Sequence, residues 1–295
     1  MGICNNPDKE PINDPNKEPI NDPNRETINK TNKDTNNEIQ INDEKQKTKK
    51  DYFFNECEII SSEELKNIFS NESSMCKIIC QNGEKNYRAC TGFFCEINDD
   101  NIPFKKALFT INYIFDESSL EINKEIEFEY LNKIKKIKIT KERKIFTNKN
   151  LNYTCIEILD TDKINNTFFK IDDEIFKNKN NLIQTFIFVF HYPGDLSFSY
   201  GKILIIENDI ITHNADTNPG SAGAPLIKRN NNNLVIGIHI GFIKNGNNLA
   251  IPFDIIIKNI KEQLNNIEEL EKIKIEYEQE IIELRESQKP KENIA

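Results

Sequence analysis

His213-Asn214-Ala215-Asp216-Thr217-Asn218-Pro219-Gly220-Ser221-Ala222-Gly223-Ala224-Pro225-Leu226 is the stretch on which the reading of this 295-residue chain turns. Pro219-Gly220 and Gly223 mark it as a tight turn, because proline presets φ and glycine enters backbone conformations closed to other residues. β-prone runs lie on either side, at 202–206 and 224–227, and another follows at 234–240. The stretch is therefore a connection between strands. With small side chains at Gly220, Ser221, Ala222 and Gly223, its main chemistry is backbone N–H groups held in place by the turn.

Working outward, short β-prone runs recur at 75–80, 90–97, 107–114, 125–130, 135–140, 153–158, 182–190 and 249–251, with Gln81-Asn82-Gly83-Glu84 reading as a turn between the first two. Short strands at regular spacing with turn residues between them predict an all-β sandwich or barrel. Ser61-Ser62-Glu63-Glu64 followed by Leu65, Ile68 and Phe69 predicts a short capped helix ahead of them. Beyond Asp254 the period changes. Ile260, Leu264, Ile267, Leu270, Ile273, Tyr277, Ile281 and Leu284 fall three or four apart with charges between them, the pattern of a long amphipathic helix. Its later turns carry a spacing near that of a coiled coil and offer a route to homo-oligomers.

The N-terminal 50 residues differ from the rest. NNPDKEPI, NDPNKEPI and NDPNRETI form an eight-residue repeat with Pro7, Pro15 and Pro23 in register. So few apolar side chains cannot offset the entropy of ordering, and residues 1–50 read as a disordered arm. Its first residues, Met1-Gly2-Ile3-Cys4, look like a lipidation signal, with Gly2 as a myristoylation site and Cys4 as a palmitoylation site. Two lipids would supply peripheral membrane attachment that one alone does not.

Net charge is −9 with acid and base interleaved, which argues against a nucleic-acid surface. Seven cysteines at irregular spacing, without a secretory leader, predict reduced thiols and a cytoplasmic location. Cys76 and Cys80 share one face of an alternating strand and read as apolar filler, not as half of a zinc site. No metal or other cofactor is expected. No apolar run reaches the roughly 20 residues of a membrane span.

Three separated segments resemble trypsin-like serine peptidases, particularly the glutamyl-endopeptidase-like branch. Cys90-Thr91-Gly92-Phe93-Phe94 with Ala107-Leu108-Phe109-Thr110-Ile111-Asn112-Tyr113 resembles the family's Gly-Thr-Gly-Phe strand and the element ending in its catalytic histidine, which falls on Tyr113. Leu151-Asn152-Tyr153-Thr154 resembles the strand start carrying the triad aspartate, here Asn152. The opening stretch resembles the Gly-x-Ser-Gly-x-Pro nucleophile loop, with Ala222 in place of serine. Pro193-Gly194, Ser199-Tyr200-Gly201-Lys202 and Gly237-Ile238-His239-Ile240-Gly241 resemble the flanking segments.

The resemblance implies two antiparallel six-stranded β-barrels, at about 72–162 and 175–255 within a domain of 51–260, followed by a helical tail at 261–295. It also implies an inactive homologue. Acyl transfer needs a nucleophile, a base and a group to orient the base. Alanine has no attacking atom, tyrosine with a pKa near ~10 is a poor base, and asparagine has no charge to offer. The positions that would remain useful are Gly220 and Ala222, whose N–H groups form the oxyanion hole. Asp216, Thr217 and His239 stand at specificity-pocket positions, and Phe242 stands at the cleft mouth where a glycine would leave it open. The expected function is a pseudoprotease that binds a peptide or protein ligand. A divergent active serine-type endopeptidase whose nucleophile, Ser221 or a cysteine, stands outside the family pattern, and a membrane-tethered coiled-coil adaptor, are the competing readings.

Overall fold

The computed structural model describes residues 60–287 apart from 83–85, 116, 165–166, 230–233 and 244–245. The octapeptide arm, Gly2, Cys4, Cys57, the Asn230–Asn233 loop and the Gly83-Glu84 half of the first turn lie outside the described residues.

Fourteen strands make up the body among the described residues. In the first half these are β1 (Met75–Asn82), β2 (Asn86–Glu96), β3 (Lys106–Thr110), β4 (Glu125–Tyr130), β5 (Lys133–Lys138), β6 (Ile145–Asn148) and β7 (Tyr153–Glu157). In the second they are β9 (Phe186–His191), β10 (Ser197–Glu207), β11 (Ile210–His213), β12 (Pro225–Lys228), β13 (Leu234–Phe242) and β14 (Asn248–Pro252). The short β8 (Phe169–Ile171) stands between them.

Binary pattern and turn chemistry explain the local choices. In β4 the glutamates alternate with buried Ile126, Phe128 and Tyr130, the period of a strand with one wet face. Its partner β5 answers with lysines, so Lys136 sits 3.3 Å from Glu127 and 3.5 Å from Glu125 across the ladder. Such exposed pairs contribute only tenths of a kcal/mol, about 0.2–1, and serve register more than stability. The two-residue turn between them has positive φ at both Leu131 and Asn132, and Asn208-Asp209 repeats this between β10 and β11. Both are turns whose twist matches that of the strands they join.

The second half closes on itself. Antiparallel ladders run β9–β10–β11–β14–β13–β12 and back to β9, a six-stranded barrel. The first half departs from the expected closed six-stranded ring. Its path is β5–β4–β1–β2–β3–β7–β6, seven strands, and among the described residues no ladder joins β5 to β6. Residues 139–144 carry the chain directly between those two strands, and Arg143 holds the gap. Its Nε donates to Lys138 O at 3.0 Å and its Nη1 to Glu157 O at 2.6 Å, while Asp162 grips the same guanidinium with two bonds of 2.8 Å. β8 joins the halves by pairing parallel to both β2 and β13.

Residues 90–95 of β2 are buried on both faces and serve two cores. Phe94 packs with Ile78, Leu108, Phe128 and Ile156, while its neighbour Phe93 points the other way, toward Phe109 and Phe253. Cys76, Cys90, Cys95 and Cys155 are buried thiols outside any disulfide, and burial raises the Cys76, Cys95 and Cys155 thiols well above their ordinary pKa. The predicted strand at 107–114 stops at Thr110, and Asn112–Ile114 is a 3-10 turn. Likewise Lys179–Leu182 is a 3-10 turn, so the strand expected from 182 starts at Phe186.

Of the helices, α1 (Ser62–Phe69) is capped as its sequence requires, Ser61 Oγ accepting from Glu64 N at 3.1 Å. The short α2 (Glu174–Asn178) precedes β9. α3 (Phe253–Ser287) begins inside the body, burying Phe253, Ile256, Ile257, Ile260 and Leu264. No described helix is long and apolar enough to cross a membrane.

Candidate functional site

The loop between β11 and β12 is fixed by backbone sterics and by contacts from both halves. Gly220 has φ +101° and Gly223 φ +90°. A Cβ on Gly220 would lie 2.3 Å from Tyr192 O, and one on Gly223 would lie 2.0 Å from Thr91 O. Neither position admits a side chain.

Thr91 of β2 grips the loop from the first half. Its N–H donates to Ala222 O at 2.9 Å, and its hydroxyl donates to Gly220 O at 2.9 Å while accepting from Tyr192 N at 2.9 Å. Its own carbonyl accepts from Thr110 Oγ1 at 2.8 Å. From the second half, His239 of β13 brackets Gly223 and Ala224 with two backbone bonds of 2.8 Å. Ser221 points inward. Its Oγ lies 2.5 Å from His191 Nδ1 and accepts from Asn218 N at 3.1 Å, with both side chains buried. Among the described residues the Gly220 and Ala222 N–H groups make no backbone hydrogen bond, unlike those of Ser221, Gly223 and Ala224.

All three histidines of the chain gather beneath this loop. His213 Nε2 lies 3.3 Å from His239 Nδ1, and both rings are buried. Burial first, and His239 second, hold His213 down at a pKa of about 3. Burial and then the neighbouring His191 hold His239 at about 4, against a hydrogen bond to the Leu249 backbone that works the other way. Burial lowers His191 too. All three rings are thus neutral around neutral pH, because an apolar surrounding disfavours the charged form. His213 Nδ1 is buried with no hydrogen-bond partner among the described residues.

The remaining predicted residues fall as follows. Tyr113 is half exposed at the 3-10 turn after β3, and its backbone N–H donates to Asn152 Oδ1 at 3.2 Å. Asn152 itself has φ +52°, at the turn that opens β7. Ala222 is half-buried, packed against the first-half core. Thr217 Oγ1 donates to Asn248 Oδ1 at 2.6 Å, and Asn248 Nδ2 donates to Ala215 O at 2.7 Å. Asp216 is exposed, and Phe242 is 77% exposed on a backbone bent at Gly241. The structure therefore brings Tyr113 to Asn152, and His239 to the loop. Three further residues complete the site: Thr91, which lies within the Cys90–Phe94 segment, and His191 and Asn248, which carry no local sequence signal.

Among the described residues no three His, Cys, Asp or Glu side chains gather as a metal site. Chemically, the arrangement offers two backbone donors with no backbone partner and a hydroxyl–imidazole pair sealed from solvent.

No family model matches the sequence, and no curated protein matches it. Solved structures do match in shape. The crystal structure of the serine endoprotease from Yersinia pestis aligns over 68% of this chain and 66% of that one, at 13% identity with a TM-score of 0.50. This chain thus spans just under two thirds of that protein's length. The active form of the Rv3671c protease from M. tuberculosis aligns over 66% of this chain and 82% of that one, at 14% identity with a TM-score of 0.49. At such low identity the Yersinia match speaks for architecture alone: a mostly β chain with a closed six-stranded barrel and a C-terminal helix, sharing the chymotrypsin-like fold of a bacterial serine endoprotease.

Proposed function

We propose that this protein is a pseudoprotease, a trypsin-like serine-peptidase homologue without its triad that binds a peptide or protein segment in the inherited cleft. The observation that carries this reading is the bond from Tyr113 N–H to Asn152 Oδ1. It joins two residues 39 apart in the chain at the two positions that the family resemblance assigns to base and orienting acid. The third position, Ala222, lies on the glycine-fixed loop. On this reading β5 and β6 are one strand interrupted at 139–144, which makes the first half the second six-stranded barrel of a glutamyl-endopeptidase-like ancestor.

Recognition falls to the Gly220 and Ala222 N–H groups, which suit a carbonyl or carboxylate oxygen, and to the exposed side chains of Asp216, Tyr113 and Phe242. Thr217 and His239 contribute less, because Asn248 and His213 already engage them. Incubation of the purified protein with casein and a fluorophosphonate probe tests the reading. No cleavage and no label are expected; either one, persisting through repurification, overturns it.

The runner-up, a divergent serine endopeptidase, is favoured by one observation, the 2.5 Å approach of Ser221 Oγ to His191. Against it, Ser221 is 1% exposed and its oxygen already serves Asn218 N. In that case Ser221→Ala alone would abolish measurable hydrolysis.

A further inference from the structure

One feature of the fold lies away from the cleft. After Leu264, every described side chain of α3 up to Glu280 is exposed, so the helix leaves the body and continues for more than twenty residues. Yet that free stretch carries an apolar stripe, with Leu270 66% and Tyr277 64% exposed beside Ile267 and Ile273. A helix with no partner along its length has no physical reason to keep such a stripe in water.

The stripe has a register. Ile267, Lys274 and Ile281 fall on a positions and Leu270, Tyr277 and Leu284 on d positions of a heptad. Ile at a with Leu at d favours two parallel strands, and a single lysine at a fixes register and strand number at a cost in stability. Lys274 lies 3.9 Å from Glu278 on its own helix, which offsets that charge. Flanking charges choose the direction. An antiparallel pair with the same layers sets Glu271 against Glu278, a repulsion that the parallel pair avoids. At ~100° per residue the stripe lies about a quarter turn round from the body-facing side of the helix. A two-fold axis along the seam therefore puts the two bodies on opposite flanks.

We infer that residues 267–284 pair with the same segment of a second copy as a parallel, in-register, two-stranded coiled coil. The packing of Phe253 to Leu264 on the body has already nucleated the helix, so a seam this short needs only side-chain association to form. The consequence is a bivalent molecule with both clefts at one end. This inference does not depend on what the cleft does, and its failure would leave the pseudoprotease reading untouched.

Sedimentation and light scattering of the full chain at about 100 µM test it, since association is concentration-dependent. A mass twice the 34.4 kDa of one chain is expected. Leu270→Lys with Tyr277→Lys, positions that touch nothing in the body, should return it to the monomer. Lys274→Cys should give a cross-linked dimer under mild oxidation, as residues at a meet their own copies only in the parallel register. A monomer at that concentration, a trimer or tetramer, or no cross-link would overturn the inference. So would a monomer that binds phosphatidylserine vesicles through the stripe.

Discussion

His191 Nδ1 and Ser221 Oγ lie 2.5 Å apart in the interior, and the bond between them sets the direction of the loop's only hydroxyl between Thr217 and Pro225. It points the serine down into the protein, where its oxygen also accepts from Asn218 N–H. We therefore expect Ser221→Ala to destabilise the fold by about 1–3 kcal/mol, because the buried His191 ring and the Asn218 N–H both lose their partner. Urea unfolding measures this, and reactivity toward a fluorophosphonate should not change.

Restoring the triad positions is the complementary experiment. Tyr113→His, Asn152→Asp and Ala222→Ser together should produce fluorophosphonate labelling at least ~10²-fold above the parent, given that a complete triad contributes far more than that. Any one of the three alone should do nothing. Intact mass spectrometry of the labelled protein reads the outcome directly.

The grip of Thr91 makes a different prediction. Thr91→Val keeps the shape and the backbone bond to Ala222, but leaves Gly220 O and Tyr192 N without the hydroxyl. A loss of about 1–3 kcal/mol and faster amide exchange at 220–223 should follow. Gly223→Ala should cost more, at least ~2 kcal/mol, since its Cβ would meet a backbone carbonyl at a positive φ.

Arg143 holds the seam of the first half. Arg143→Met fills similar volume but leaves the Asp162 carboxylate, whose side chain is 7% exposed, without its partner. We expect a loss of about 3–5 kcal/mol, the usual result of breaking one side of a buried pair. Differential scanning calorimetry would show it, and Arg143→Met with Asp162→Asn should recover part of the loss.

The histidine cluster predicts the response to acid. In the folded protein His213 and His239 stay neutral to about 3 and about 4, while in the unfolded chain they titrate near 6.5. Below 6.5 the unfolded state binds more protons, so their contribution is complete above that value and is lost as the pH falls toward 4 and then 3. Near pH ~5 the two rings together give a slope of ~2.7 kcal/mol per pH unit. His213→Leu should roughly halve that slope in urea titrations between about pH 5 and 7.

The parts legible in the sequence were those written locally. Glycines at 220 and 223, the alternation in 125–130 and the Ser61 cap each reflect a backbone or burial rule acting over a few residues. Elements set by distant contacts were not legible. The run 107–114 has continuous β propensity, yet the strand ends at Thr110, and the Asn152 side chain takes Tyr113 N–H. β8 is three residues long and exists because β2 and β13 present free edges on either side of it. His191 and Ser221 are 30 residues apart, and nothing near either residue announces the other. The seam at Arg143 is similar, since one guanidinium stands where a closed barrel requires a ladder.

The absence of room at Gly220 and Gly223 bears on how this protein evolves. A side chain at either site collides with the body's own backbone, so selection for folding alone preserves both glycines, whether or not anything binds. The same holds for Thr91 and Ser221. Drift is free to act at Asp216 and Phe242, which face solvent and hold nothing together. Constancy at those two positions among descendants of this sequence would be the mark of a ligand.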